Sequence, residues 1–439
     1  MAPSFRKVFV NLSQQLKNNN IQYYVKMMVK DVSSRKILVL VDRFPLAPEY
    51  SPSTWMIGSL TELSAIAEID VASVVNLLPR MRNLVHSKRE RASTKAAWCS
   101  AMENTTVYPF PVRHFHYLGL PARFSWKLLP RLMTWQVLQR IVKTYKANHY
   151  DAVMIHGTYP VGHLGIELAK RFRAPSFVIN HEGYRLYQQY FSSAAALELF
   201  NVLNNADIIA GLSPNHVREL QYEFPSKMIQ MLCHGISIPY DATRTNQKNK
   251  EEPFRILTVA RLDGVEKQIS VLIEGFIQFV QVNKIRAQLT IAGDGSDIPV
   301  LRQIVLKYHA EGIVHFCGWV GANKLPDLLR SHDVFVCAST HETFCYAILE
   351  AIAYGIPVIG LPEVGILSEF VSLFPEETAL SELTSSQIAE KLSLFYNAKN
   401  KWPQIANAMV HVVKKRFTWT VHRNSLHDIL NQLIRIHKS

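Results

Sequence analysis

Residues 342–360 read ETFCYAILEAIAYGIPVIG. Apolar residues recur at helical spacing from Phe344 to Tyr354, Gly355 supplies a helix stop, and IPVIG is a short apolar run of strand type. Just upstream, DVFVCAST (333–340) is another strand run, ending in small polar residues. Strand, turn, helix, glycine and strand in that order make a βαβ unit, with parallel strands covered on both faces. The spacing predicts a helix over 344–355, with Glu342 in the strand-to-helix turn and Glu350 about two turns inside.

The same alternation runs outward in both directions. RILTVARL (255–262), AQLTIAGDGSD (287–297) and IVHFCGWV (313–320) are strands separated by helical stretches such as ISVLIEGFIQFVQ and IPVLRQIVLKYH. Earlier, RKILVLVDRFP (35–45), DVASVVNLLP (70–79), YDAVMIHG, PSFVINHEG and ADIIAGLS read as strands, and TWMIGSLTELSAIAEI (54–69) and PVGHLGIELAKRFRA as helices. Ser213 and Pro214 open a further helix as N-cap and first helical residue. Between the two halves, DATRTNQKNKEEP (241–253) is polar and aperiodic, a natural boundary. The expected organisation is an extension over 1–34, a first α/β domain over 35–240, a linker over 241–253 and a second α/β domain over 254–417. Two such domains face each other across a cleft, and ligands of open parallel sheets sit beyond the carboxyl ends of the strands.

The chain has 439 residues, 48% hydrophobic and 19% charged, which is a globular composition of two-domain size. No run is long and apolar enough for a membrane span, and the first residues carry no signal-peptide core, so the expected location is cytoplasmic. Five cysteines, Cys99, Cys233, Cys317, Cys337 and Cys345, are scattered without a C-x-x-C pair. That spacing argues against a disulfide framework and against a zinc site, and no metal is expected. The net charge of +13 implies a partner of negative sign.

Glu342 and Glu350 are the first candidates for chemistry. Eight residues of helix span roughly 12 Å, enough for a carboxylate to meet each end of a nucleotide sugar. Between them the N–H groups of Thr343, Phe344 and Cys345 form a helix start suited to a diphosphate. Arg261 and Lys267 follow the first strand of the second domain, where two fixed cations would neutralise a departing nucleoside diphosphate without a metal. No D-x-D is present in the chain.

These residues resemble the E-x7-E signature of retaining glycosyltransferases of the GT-B fold, specifically glycosyltransferase family 4. VARLDGVEKQ (259–268) is similar to the family's element carrying Arg261 and Lys267, and IAGDGSD, with Gly293, matches the strand that follows. KKRFTWTVHRNSLHDIL (414–430) looks like the family's final helix, expected over 418–436 and crossing back to the first domain. APSFVINHEG resembles a strand ending in a histidine, His181, that faces the donor sugar, and His156 is a second candidate for the cleft. Here the chain continues His181-Glu182-Gly183-Tyr184, where the family commonly has His-Gly-x-Asp. The Gly-Gly loop after the first strand is replaced by RFPLAPEYSPSTW, where Ser51, Ser53 or Thr54 would substitute, and the usual NGVD is HGIS (234–237).

The resemblance implies two facing Rossmann-like doubly wound domains and a retaining sugar transfer from a nucleotide-sugar donor. His181 and Glu342 would act at the sugar, Arg261, Lys267, Phe344 and Cys345 at the diphosphate, and Glu350 and Gly293 at the nucleotide. The nucleotide sugar is a co-substrate, and no other cofactor is implied.

Residues 123–146 carry Arg123, Lys127, Arg131, Arg140, Lys143 and Lys146 without an acidic residue, interleaved with Trp126, Leu128, Leu129, Leu132, Met133 and Trp135. Such a surface reads as docking on anionic lipid, which points to a glycan or lipid-linked acceptor at the cytoplasmic membrane face. A second basic cluster spans Arg80, Arg82, Lys88, Arg89, Arg91 and Lys95. No nucleic-acid module accompanies the charge, so nucleic acid is not an expected partner. Rival readings are a nucleotide-sugar epimerase or phosphorylase of the same architecture, and a catalytically degenerate membrane or partner-binding subunit.

Overall fold

The computed structural model describes residues 35–42, 44, 54–76, 110–119, 128–146, 148–185, 188, 193–239 and 252–438. The expected extension over 1–34, most of the linker, the basic cluster at 80–95, and Arg123, Trp126 and Lys127 lie outside them.

Seven strands form the first sheet: β1 (Lys36–Asp42), β2 (Glu68–Asn76), β3 (Val112–Tyr117), β4 (Ala152–His156), β5 (Ser176–Ile179), β6 (Ile208–Gly211) and β7 (Met228–Met231). Five form the second: β8 (Phe254–Val259), β9 (Ala287–Ala292), β10 (Val314–Gly318), β11 (Val334–Val336) and β12 (Val358–Ile359). Their orders are β3-β2-β1-β4-β5-β6-β7 and β10-β9-β8-β11-β12, and both sheets are parallel throughout. The α-helices of six residues or more are α1 (Thr54–Ser64), α2 (Leu128–Tyr145), α3 (Gly162–Phe172), α4 (Ser193–Asn205), α5 (Pro214–Glu223), α6 (Ile269–Asn283), α7 (Ile298–Lys307), α8 (Leu325–Arg330), α9 (Tyr346–Ala353), α10 (Ser385–Asn397), α11 (Trp402–Arg416) and α12 (Trp419–Lys438). This is the doubly wound two-sheet arrangement expected from the alternation.

Strand β1 shows why its sequence is a continuous apolar run rather than an alternating one. Ile37 to Val41 are all fully buried, because helices cover both faces. Ile37, Val39 and Val41 pack into one core, while Leu38 and Leu40 pack into the other. The first core continues through Ile236, Phe344 and Phe417 into the second sheet, so the two halves share apolar packing. Ser213 caps α5 as expected, accepting from the His216 N–H at 3.1 Å with Pro214 in the first turn.

Some boundaries differ from the sequence reading. Helix α1 stops at Ser64, and Glu68 and Ile69 belong to β2 because they pair with Lys36 and Ile37 of β1. The final segment is two helices, α11 and α12, and α12 packs on α1 of the first half. Buried Ser59 Oγ and His422 Nε2 lie 2.8 Å apart, Arg423 pairs with Glu62 at 3.5 Å, and Gln432 accepts from Gln230 at 2.9 Å. The chain thus crosses back as expected.

Each sheet reverses its order beside its first strand, between β1 and β4 and between β8 and β11. Carboxyl ends of strands at such switch points hold ligands. The loops leaving β8 and β11 therefore bound the region where function is sought.

Candidate functional site

After β8 the chain passes through Ala260 and Arg261 into a short 3-10 turn at Val265–Lys267. After β11 it passes through Ser339 to Glu342. The two loops are tied by the Thr340 N–H, which donates to Glu266 O at 2.8 Å. This brings Lys267 Nζ to 2.5 Å from Glu342 Oε1, a pair only 12% and 16% exposed. Ser339 Oγ donates to the same carboxylate oxygen at 2.8 Å. Burial pulls the Lys267 ammonium down, but the Glu342 carboxylate outweighs it and the net shift is upward. Arg261 lies beside this pair but is largely exposed, bonded to Asp263 at 3.0 Å and Glu266 at 3.3 Å.

Gly293, at the end of β9, closes the floor. Its φ is +145°, and a Cβ there would lie 1.8 Å from Ala260 O, so glycine alone fits beside the β8 loop. The following loop clasps the same segment, with the Leu262 N–H donating to Asp294 O at 3.0 Å and the Asp297 N–H to Leu262 O at 2.8 Å.

The helix carrying Glu350 starts later than the sequence suggested. Helix α9 begins at Tyr346, and Cys345 precedes it in a left-handed conformation (φ 69°, ψ 78°). Phe344 and Cys345 are therefore in the turn, and Glu350 sits little more than one turn inside. A left-handed residue breaks the helical run, which apolar periodicity cannot reveal. Glu350 is not a solvent-facing glutamate: it is half-buried, no cation among the described residues pairs with it, and desolvation pushes its carboxyl up to about 7.

The first half meets this loop directly. Thr343 Oγ1 donates to His181 O at 3.1 Å, Tyr346 Oη to Gly235 O at 2.9 Å, and Asn215 Nδ2 to Pro362 O and Gly365 O at 3.0 and 3.1 Å. Gly183 lies against His341, whose Nε2 would be 1.9 Å from a Cβ at that position.

Behind His181 stands a group of rings that sequence reasoning largely missed. His156 Nδ1 lies 3.4 Å from His181 Nε2, and the two rings stack at 5.6 Å. His181 also stacks with His234 at 5.6 Å, and Trp55 of α1 packs on both, at 4.5 and 4.7 Å. Burial, with mutual repulsion, holds His156 and His234 well below the ordinary imidazole value, and burial takes His181 down to about 3. These are neutral imidazoles. His156 Nε2 and His234 Nδ1 are buried without a hydrogen-bond partner among the described residues. Where the sequence has Glu182, its carboxylate accepts from the Thr158 N–H at 3.0 Å and shapes the loop after β4, while burial pushes it upward. His156 and the HGIS stretch were visible in the sequence. Their convergence on Trp55 depends on strand order and was not.

The basic stripe expected over 123–146 is reorganised by helix α2. Leu129 and Met133 are buried in the core, leaving Leu128 (62% exposed), Arg131 and Trp135 (78% exposed) on one outer face. Arg140, Lys143 and Lys146 are exposed further along. No helix among the described residues is long and apolar enough to cross a membrane.

Comparison with known proteins speaks to the family and the fold. Residues 240–408 match the family model described as "Glycosyl transferases group 1". The chain is 28% identical over 251 residues to alpha-monoglucosyldiacylglycerol synthase of Acholeplasma laidlawii, covering 51% of this chain and 61% of that protein. It is 26% identical over 239 residues to the GtfA subunit of a UDP-N-acetylglucosamine–peptide N-acetylglucosaminyltransferase of Streptococcus pneumoniae, covering 51% and 44%. These matches thus span about half of this chain and less than two thirds of each relative. In fold it is similar to Anabaena HepE in complex with UDP (TM-score 0.64, 17% identity, 91% of this chain and 100% of that one). It is likewise similar to sucrose-phosphate synthase of Thermosynechococcus elongatus (TM-score 0.67, 18% identity, 92% and 100%). Those two likenesses establish the GT-B fold.

Proposed function

The chain belongs to the glycosyl transferases group 1 family, and from that membership we propose that it transfers a sugar from a nucleotide-sugar donor to a glycan or lipid-linked acceptor with retention of configuration. The observation that carries the reading is the Lys267–Glu342 pair, set at the switch point of the second sheet and joined through Thr343 to His181 of the first. A cation and a carboxylate on one loop pair provide opposite charges for a diphosphate and for sugar hydroxyls.

In this reading Lys267 and Arg261 neutralise the leaving diphosphate, together with the backbone N–H groups of Phe344 and Cys345. Arg261, exposed and held by Asp263 and Glu266, turns onto the diphosphate when the donor binds. Glu342 and His181 face the hexose, and neutral His181 offers a hydrogen-bond donor and an acceptor without a charge that would compete for the diphosphate. Glu350 accepts from the ribose hydroxyls, and Gly293 lets the nucleotide approach the backbone. The departing diphosphate takes the acceptor proton on the same face as the leaving bond. Leu128, Arg131 and Trp135 form the described part of a surface that docks on anionic lipid at the cytoplasmic face of the membrane, consistent with the net charge of +13. The Acholeplasma relative, by its name a synthase of a glucosylated diacylglycerol, supports a lipid acceptor.

Thermal stabilisation by a panel of nucleoside diphosphates and nucleotide sugars tests the donor. A ligand at a hundred times its dissociation constant adds about 2.7 kcal/mol. A selective shift that disappears in Glu350→Ala supports the reading, whereas no shift with any nucleotide sinks it.

A further inference from the structure

The loop between β11 and α9 gathers two thiols that the transfer reading leaves unexplained, beside the Glu342 carboxylate that it assigns to the hexose. Cys337 Sγ, Cys345 Sγ and a carboxylate oxygen of Glu342 all lie within 4.8 Å of one another. They line a cavity with Thr258, Ala260 and Ser339 at the ends of β8 and β11. Seven residues separate the two cysteines, so their proximity is made by the turn rather than by a short motif. The turn is costly at that point: Cys345 is one of five non-glycine residues with positive φ among the described residues, and it directly precedes α9. A strained residue lining a cavity with room for a single ion or water, with its sulfur beside a second thiol and a carboxylate, is an arrangement that function accounts for better than packing.

We propose that Cys337, Cys345 and Glu342 bind a thiophilic divalent cation of the Zn²⁺ class. Two thiolates and one carboxylate form a borderline-soft set, which suits Zn²⁺ over Mg²⁺ or Ca²⁺. Three protein ligands leave a fourth position for water or an incoming anion. Binding releases one proton from each thiol to solvent, forms two metal–sulfur bonds, and transfers the Glu342 carboxylate from Lys267 to the metal. Lys267 stays protonated and loses its partner, so the cation and the ammonium compete for one carboxylate. The proposal stands on these three side chains and does not depend on the identity of any nucleotide.

The test uses the full chain, reduced and stripped of metal, titrated with Co²⁺ as a spectroscopic probe and with Zn²⁺ in competition with a chromophoric chelator. The expected result is one equivalent of Co²⁺ giving a thiolate-to-metal charge-transfer band in the near ultraviolet, bleached by one equivalent of Zn²⁺. Cys337→Ser and Cys345→Ser should each remove the band and weaken Zn²⁺ at least tenfold. Lys267→Met should tighten it several-fold, because the competitor is gone. Cys345→Gly relieves the left-handed backbone and so provides a folded variant that must also lose the band. A charge-transfer band that survives in all the cysteine variants, or binding without one, overturns the proposal. Nucleotide-induced stabilisation without any Zn²⁺ site would overturn this inference while leaving the donor reading intact.

Discussion

Lowering the pH from 7.5 to 5.5 should weaken this fold by an amount that the buried imidazoles set. His156, His216, His234 and His422 are each at most 3% exposed, and His181 is enclosed by Trp55, His156 and His234. Burial is the first cause in every case, holding His181 and His216 near 3, His422 near 4, and the other two well below the ordinary value. In the unfolded chain each titrates near 6.5. A depressed folded pKa means that the stability is present above 6.5 and is lost as pH falls toward the folded value. Over this interval each histidine therefore costs about 1.4 kcal/mol, roughly 7 kcal/mol for the five. Glu350 acts in the opposite sense. Its pKa is raised from 4.5 to about 7, so the folded state takes its proton first. That contributes about 2 kcal/mol of added stability between pH 7.5 and 5.5. The net expectation is a loss of about 5 kcal/mol and an uptake of about four protons on unfolding near pH 5.5. Urea denaturation at pH 7.5, 6.5 and 5.5 measures both, from the change in unfolding free energy and its slope against pH. His234→Phe, facing Phe344 at 5.0 Å, should reduce the slope by about one proton whatever it does to the absolute stability. Unfolding free energy that is flat or rises as the pH falls would refute the assignment of these rings as neutral in the folded state.

Four further outcomes are expected. Lys267→Met should lower kcat/KM about 10²- to 10³-fold in a transfer assay, through loss of charge at the diphosphate, with nucleotide affinity falling in parallel. Equal activity would remove Lys267 from the donor site. Nucleoside-diphosphate affinity should rise up to about tenfold between pH 6 and 8 as Glu350 ionises, and Glu350→Gln should flatten that profile in calorimetric titrations. Gly293→Ala should destabilise by about 2 kcal/mol or more, since its Cβ meets a backbone oxygen that cannot move aside, and thermal melting reads this directly. Ser59→Ala strips a buried hydrogen bond from His422 and should cost about 1–3 kcal/mol in denaturant titrations. An unchanged midpoint would mean that α12 docks without it.

The fold was legible because its strands are short apolar runs and its helices amphipathic, and neither signal depends on distant residues. Ser213-Pro214 announced a helix start that a local side-chain bond then makes. The Lys267–Glu342 contact was anticipated only as shared membership of one site. The distance between them is set by the Thr340–Glu266 backbone bond, which joins loops seventy-four positions apart. The left-handed turn at Cys345 escaped the reading because a cysteine carries no sign of positive φ, as a glycine would. The imidazole group behind His181 escaped it for another reason. Its imidazoles come from the ends of β4 and β5 and the loop after β7, and only the strand order makes them neighbours.

The chain passes between its two halves twice, and the two passages are fastened to each other. The Ile236 N–H donates to Phe417 O at 2.8 Å, and Ile236 bridges Thr418 in parallel. A double strap of this kind is where a relative rotation of the halves would be centred. Tyr346, at the first turn of the helix bearing Glu350, hydrogen-bonds to Gly235 on the strap itself. That bond ties the strap to the helix of the site, so a substitution at Ile236 or Thr418, remote from any reacting atom, should alter turnover and substrate affinity in the same stroke.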